Sequence, residues 1–212
     1  MNHTTILNLV TELGYKGFKE AYIRQMEDIN YHTLSFEERL YELLNAQEVF
    51  LKNKRTAMNL KLSKIKNKQA LIENLDYDPK RKLNKAQIVS LASMDFVRAH
   101  QNIIINGKCG SGKTFLAEAL GVRAIQEGFT VYAIRTATLL QDINLSRVDG
   151  SYTNLIKRFA RYKLLIIDDF GISPLSTDDA TNLFEIIEAR DENASTIITS
   201  QLPVKDWYGY LQ

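Results

Sequence analysis

The fold is decided by the stretch Gly107-Lys108-Cys109-Gly110-Ser111-Gly112-Lys113-Thr114, which matches the phosphate-binding loop pattern G-x-x-x-x-G-K-[S/T] at every fixed position. The apolar run at 102–106 predicts a short strand before this loop, and residues 115–120 predict a helix after it. Glycines let several backbone N–H groups point at one anion, with the positive end of the helix behind them. We therefore expect all eight residues to contact a nucleotide, with Lys113 at the β- and γ-phosphates and the Thr114 hydroxyl on Mg²⁺.

Strand and helix patterns alternate on either side of the loop, which predicts an α/β fold: a P-loop NTPase with a parallel sheet and helices on both faces. Asn84 caps a predicted helix over 85–99, which we expect to line the base of the nucleotide. Ser176 and Asp179 form a capping pattern for a later helix. The further strands are predicted at 129–134, 163–169 and 195–200, and the further helices at 136–145 and around 155–159.

Two aspartates end the third predicted strand. The strand ending in an acidic residue is expected to lie beside the P-loop strand, so Asp168 would hold the Mg²⁺ that bridges the phosphates. Asp169 would orient or deprotonate the attacking water. With Lys113, these are the predicted catalytic residues. The alternative is that the pair only caps a turn, since Gly171 and Pro174 follow closely.

The end of the fourth predicted strand is polar. Ser200 and Gln201 would contact the γ-phosphate and sense its presence if this strand lies next to the first one. The alternative is a strand that runs out into a loop before Pro203, and the local sequence does not decide between the two.

The N-terminal region is predicted to be helical. Residues 1–75 contain no proline and have apolar residues at helical spacing. Ser35 precedes Glu38 by three residues, which is a capping-box pattern. Pro79 disfavours helix at the residue before it, so we place a domain boundary there. The prediction is a helical domain at 1–78, basic in its second half, followed by an ATPase core at 79–212.

Residues 50–85 carry eleven Lys and Arg against three Asp and Glu, whereas residues 101–212 carry eleven against thirteen. Such a basic segment is typical of a nucleic-acid contact, although a solvated helix face explains it equally well. The candidate DNA-binding residues are Lys52, Lys54, Arg55, Lys61, Lys64, Lys66 and Lys68.

The composition limits the class of protein. With 45% hydrophobic and 25% charged residues, the 212-residue chain is typical of globular proteins. It has no apolar run long enough to span a membrane and no signal-peptide pattern at its start. One cysteine cannot form an internal disulfide, and the three histidines have no metal-ligand spacing. We therefore expect a cytoplasmic protein without membrane contact.

Four stretches together resemble the IstB-like family of AAA+ ATPases, which assist insertion-sequence transposases and are similar to the helicase loader DnaC. They are residues 34–40 (LSFEERL), 107–121 (GKCGSGKTFLAEALG), 164–171 (LLIIDDFG) and 195–207 (STIITSQLPVKDW). The resemblance implies an AAA+ domain behind a helical domain, ATP as substrate, and assembly as a homo-oligomer on duplex DNA with a transposase. Cys109, Asp169 and Gln201 stand where the family more often has proline, glutamate and asparagine.

The resemblance also implies a last strand, a helical lid and an arginine-bearing segment that would lie beyond Gln212. We therefore expect slow ATP turnover by these residues alone, unless Arg158, Arg161 or Arg190 serves the neighbouring subunit. Two other functions stay open: a small-molecule phosphotransferase, and a DNA-binding module that binds ATP without hydrolysing it.

Overall fold

The computed structural model describes residues 2–77 and 83–210, which divide into two compact units that meet in sequence at Met58 and Asn59. The predicted domain boundary at residues 78 and 79 lies outside the described residues, as do the basic residues Lys80, Arg81 and Lys82.

The N-terminal unit is helical. Helix α1 (His3–Glu12) is followed by α2 (Lys16–Glu27), a 3₁₀ turn (Ile29–Thr33) and α3 (Phe36–Leu62), whose last residues belong to the second unit. The predicted capping box begins α3: the Ser35 N–H donates to Glu38 Oε2 at 2.8 Å, and the Glu38 N–H donates to Ser35 Oγ at 3.2 Å.

Helices α2 and α3 approach closely at Gly17. A Cβ atom at this position would lie 2.5 Å from the carbonyl oxygen of Ala46 and 2.6 Å from the Cβ atom of Phe50. Real Cβ atoms do not come this close to backbone, so only glycine lets the two helices pack here.

The second unit contains a parallel sheet, which confirms the predicted α/β fold. Its strands are β1 (Ile103–Asn106), β2 (Val131–Arg135), β3 (Leu164–Phe170) and β4 (Ser195–Ser200). Their spatial order is β1-β4-β3-β2. The expectation that the acidic strand lies beside the P-loop strand is wrong, because β4 lies between β1 and β3.

Helices cover both faces of the sheet. They are α4 (Lys85–Ala92), α5 (Asp95–Arg98), α6 (Lys113–Gln126), α7 (Thr136–Val148), α8 (Tyr152–Arg161), α9 (Thr177–Glu188) and α10 (Trp207–Tyr210). Leu164 and Ile166 of β3 pack in one core with α6, whereas Leu165 and Ile167 pack in another with α7, α8 and α9. Successive residues of a strand face opposite sides, so a strand buried on both faces needs a continuous apolar run.

The predicted helix over 85–99 is broken in two. Asn84 caps α4 as expected, since its side chain accepts the Gln87 N–H at 3.2 Å. Met94, with φ of +62°, then separates α4 from α5. The Ser176 capping box of α9 is confirmed. Among the described residues, no helix combines the length and apolar character that a membrane crossing needs.

The segment that follows α3, residues 63–68, belongs to the second unit, which we call the sheet unit, and packs against the sheet and α6. The Ser63 carbonyl accepts the Ala133 N–H of β2 at 2.7 Å. The Lys66 N–H donates to Glu118 Oε1 of α6 at 3.0 Å. Ile65 between them is only 2% exposed. These contacts fix the lysine-bearing backbone on the sheet unit.

Candidate nucleotide site

The P-loop connects β1 to α6, as the sequence predicts. Gly110 has φ of +73° and Gly112 has φ of +88°, and both lie in the left-handed region that favours glycine. Gly112 is also the N-cap of α6, so the loop ends where the positive end of the helix dipole begins. The backbone is therefore shaped to present N–H groups to an anion.

A cavity of about 860 Å³ opens over this loop. Besides loop residues, its lining includes 74–76 and Leu83, whereas no residue of the predicted helix at 85–99 lines it, contrary to our expectation. Of the predicted loop residues, Cys109 and Thr114 do not line the cavity. The lining residues are Asn74, Leu75, Asp76, Leu83, Ile105, Asn106, Gly107, Lys108, Gly110, Ser111, Gly112, Lys113, Phe115 and Leu116.

Lys113 is the first residue of α6, and its side chain lies along the loop. Its Nζ atom donates to the Lys108 carbonyl oxygen at 2.9 Å. The ammonium group is thus held at the wall of the cavity, where it would meet the phosphates of a bound nucleotide as a point charge.

Thr114 and Asp168 are brought together from distant parts of the chain. The Thr114 hydroxyl donates to Asp168 Oδ1 at 3.0 Å and lies 3.2 Å from Oδ2. A hydroxyl and a carboxylate are oxygen ligands of the kind that Mg²⁺ takes beside phosphate oxygens. In 2–77 and 83–210, no group of three or more His, Cys, Asp or Glu residues could hold a metal ion. The pair therefore fits Mg²⁺.

Thr199 on β4 is a site residue that sequence reasoning missed. Its hydroxyl donates to Asp168 Oδ1 at 2.5 Å and accepts the Asp169 N–H at 3.0 Å. This contact exists because β4 lies between β1 and β3. The polar residues at the end of β4 indicate that a site residue lies there, but the sequence pattern does not show which of them contacts the aspartates.

Asp169 lies in an irregular part of β3. Its φ is +61°, and the pairing of β3 with β4 shifts register between Ile167 and Phe170. Its Oδ2 atom accepts hydrogen bonds from Arg135 Nε at 2.9 Å and Nη2 at 2.5 Å. This hydrogen bond raises the pKa of Arg135. Arg135 is the second residue that sequence reasoning missed, although it ends β2 at the same edge of the sheet.

The two predicted sensor residues have different environments. Ser200 is buried, and its hydroxyl donates to the Phe170 carbonyl at 2.8 Å. Gln201 is exposed just beyond the end of β4. Neither residue lines the cavity, so the structure brings Thr199, and not these two, to the aspartates.

The candidate DNA-binding side chains are all exposed. Four of them lie on α3, and the other three lie on the segment that docks on the sheet unit. The seven are Lys52, Lys54, Arg55, Lys61, Lys64, Lys66 and Lys68.

Arg190 is not available to a neighbouring subunit. It is 1% exposed, and its guanidinium donates to the Tyr162 carbonyl at 2.9 Å and to the Ser195 carbonyl at 2.5 Å. Burial lowers its pKa to about 10. The expectation that it could serve another active site is therefore wrong, whereas Arg158 and Arg161 are exposed.

Comparison of the sequence with known proteins gives a consistent result. A family model described as "IstB-like ATP binding protein" matches residues 8–212. The insertion sequence IS1162 putative ATP-binding protein of Pseudomonas fluorescens is 37% identical over 93% of this chain and 85% of its own length. The putative insertion sequence ATP-binding protein y4pL of Sinorhizobium fredii is 35% identical over 97% of this chain and 83% of its own.

Solved structures share the fold of the sheet unit. The crystal structure of the DnaC helicase loader superposes with a TM-score of 0.56 at 24% identity, over 68% of this chain and 87% of that one. AMPPCP-bound DnaA from Aquifex aeolicus superposes with a TM-score of 0.58 at 19% identity, over 66% of this chain and 44% of that one. At these identities the likeness shows the fold alone.

Proposed function

The chain belongs to the family of IstB-like ATP-binding proteins, and from that premise we propose that it hydrolyses ATP to assist a transposase on duplex DNA. In this proposal it works as a homo-oligomer and uses Mg²⁺. ATP binding itself is the property that the family and its relatives carry in their names.

The main structural support for hydrolysis is the contact between Thr114, at the end of a complete P-loop, and Asp168. A loop that only anchors a phosphate has no need of a carboxylate beside its threonine. Mg²⁺, when held by this pair, would neutralise charge that develops between the β- and γ-phosphates. Lys113 would bind the same phosphates from the loop side.

Asp169 is the proposed group that orients or deprotonates the attacking water. Its carboxylate accepts two hydrogen bonds from Arg135, which fix its direction. Thr199 makes hydrogen bonds to the Asp168 carboxylate and to the backbone N–H of Asp169. It is therefore the proposed positioning residue, which holds the metal ligand and the base at a fixed distance from each other. Catalysis of this type consists mainly of such positioning.

DNA binding is proposed for the exposed lysines of α3 and of the segment after it. Their contacts would be to phosphates, since lysine is a point charge on a flexible stem and carries little sequence information by itself. The assignment to transposition is supported by the relatives, which are named as insertion-sequence proteins.

ATP turnover with and without duplex DNA tests this function. We expect slow basal turnover that rises when DNA is added. Turnover that requires a small-molecule phosphate acceptor would instead indicate a phosphotransferase, and tight ATP binding without turnover would indicate an assembly module. Either of these results would overturn the proposal.

A further inference from the structure

A second basic surface lies in the sheet unit, away from the P-loop. We call it the α8 groove; it has a volume of about 420 Å³. Thr130 precedes β2 and Tyr162 precedes β3, so the groove opens at the amino ends of parallel strands. The P-loop follows the carboxyl end of β1, at the opposite edge of the sheet. The groove is lined by Thr130, Asn154, Lys157, Arg158, Arg161 and Tyr162.

The groove is positively charged. Residues 150–167 contain four basic residues and no acidic one. No carboxylate is among the described residues that line the groove. The acid nearest to its arginines in the hydrogen-bond network is Asp142, with Oδ2 3.5 Å from Arg158 Nη2. An exposed pair at this distance stabilises little, and the three basic side chains of the groove outnumber this one carboxylate by two charges.

Helix α8 presents these basic side chains on its exposed face. Leu155 and Phe159 bury its inner face, which leaves the basic side chains on the outer face. The Arg158 guanidinium lies 4.8 Å from the ring centre of Phe159, and the ring of Tyr162 packs 4.9 Å from that of Tyr132. Stacking on an aromatic ring orders a guanidinium and leaves its N–H groups available for hydrogen bonding.

We propose that the α8 groove binds the phosphate backbone of duplex DNA as a second contact surface; this inference rests on the proposed DNA-binding function. Arginine matches phosphate oxygens with two parallel N–H groups. Lys157 and Arg161 are one helical turn apart, about 6 Å along the axis. The open groove and this spacing suit a row of phosphates better than one small anion. The contacts are sequence-tolerant because no base needs to be reached.

The test measures the binding of a labelled duplex oligonucleotide by fluorescence anisotropy across a salt series. The variant is the triple change Lys157→Gln, Arg158→Gln and Arg161→Gln. Each lost phosphate contact reduces the magnitude of the negative slope of log affinity against log salt by about 0.9. We therefore expect the magnitude of the slope to fall by about 2–3 in the triple variant. Affinity at low salt should fall at least about 10-fold.

A matched control keeps the net charge equal. The control variant removes an equal number of positive charges outside the groove, by the changes Lys16→Gln, Lys19→Gln and Lys205→Gln. It should keep the salt slope of the parent protein. A double variant, Lys157→Gln with Arg161→Gln, leaves the stacked Arg158 in place and covers the case in which the triple variant unfolds. ATP affinity and thermal unfolding are measured for all three.

The outcomes separate this inference from the proposed function. If the parent protein binds DNA and the groove variants keep the slope and affinity of the control, the groove inference is wrong and DNA binding by α3 stands. If the parent protein binds no duplex DNA, both proposals are overturned. A reduced slope in the groove variants, with the control unchanged, supports the inference.

Discussion

The hydroxyl of Thr199 bridges two neighbouring carboxylate residues: it donates to Asp168 Oδ1 at 2.5 Å and accepts the Asp169 N–H at 3.0 Å. One side chain on β4 thus sets the position of both proposed catalytic aspartates on β3. This relationship makes β4 part of the proposed active site and not only a structural strand.

Thr199→Val should uncouple ATP binding from turnover. The change keeps the shape of the side chain but removes a hydrogen bond to a charged group, worth roughly 1.5–3 kcal/mol. We expect turnover to fall about 10–100-fold, with ATP affinity within a few-fold of the parent. Steady-state kinetics and nucleotide titration measure the two effects. Ser200→Ala is the control. An equal loss of turnover in that variant would support Ser200 as the residue that senses the γ-phosphate.

Lys113→Ala should weaken ATP binding. The lysine would make a charge-assisted contact to the phosphates, so its loss should lower affinity at least about 10-fold. Isothermal titration with ATP measures the effect, and Lys205→Ala, at an exposed lysine that does not line the cavity, is the control. Unchanged affinity in Lys113→Ala would contradict the nucleotide site.

Asp169→Asn should block hydrolysis and leave ATP bound. The amide keeps the size of the side chain but cannot act as a base, so turnover should fall by about 10²-fold or more. The Thr114 and Asp168 pair is untouched, and metal-dependent ATP binding should persist. Hydrolysis at the parent rate would show that Asp169 only stabilises the end of β3 through Arg135.

The lysines at the end of α3 and in the segment after it can be tested as a group. Replacing Lys61, Lys64, Lys66 and Lys68 with Gln should weaken duplex binding and reduce the salt slope by about 0.9 per lost contact. Binding should be largely sequence-tolerant, which competition with unrelated duplexes measures. If slope and affinity both stay at the parent values, these residues form only a solvated face.

Arg190→Met should destabilise the sheet unit. The change removes the guanidinium donors from three carbonyls, of which those of Phe159 and Ser195 are buried and that of Tyr162 is partly buried. Each unsatisfied buried acceptor costs roughly 1–3 kcal/mol, although removing a buried charge offsets part of this. We expect the free energy of unfolding in urea to fall by about 2–4 kcal/mol. Arg161→Met, at an exposed position, should change it by less than about 0.5 kcal/mol.

The sequence predicts best what depends on short-range geometry. The P-loop, the capping residues Ser35 and Ser176 and the apolar run of β3 each specify a local structure, and each is found where expected. The contact between Thr114 and Asp168 also follows, because parallel strands bring their carboxyl ends to one edge.

The spatial order of strands and the orientation of single side chains could not be predicted. Nothing in β3 or β4 alone says which lies beside β1, and a shift of one residue decides between Thr199 and Ser200. The break at Met94 has no glycine or proline to signal it. The wall formed by Leu75 depends on how a distant segment docks, which no local pattern records.

The close approach at Gly17 has a genetic consequence. The N-terminal unit buries few apolar side chains, so its helices depend on a contact that no other residue type permits. The described residues that line the nucleotide cavity, in contrast, all belong to the other unit. A single missense change at codon 17 is therefore a route to a separation-of-function allele, in which the helical unit is lost while the nucleotide site keeps its own core.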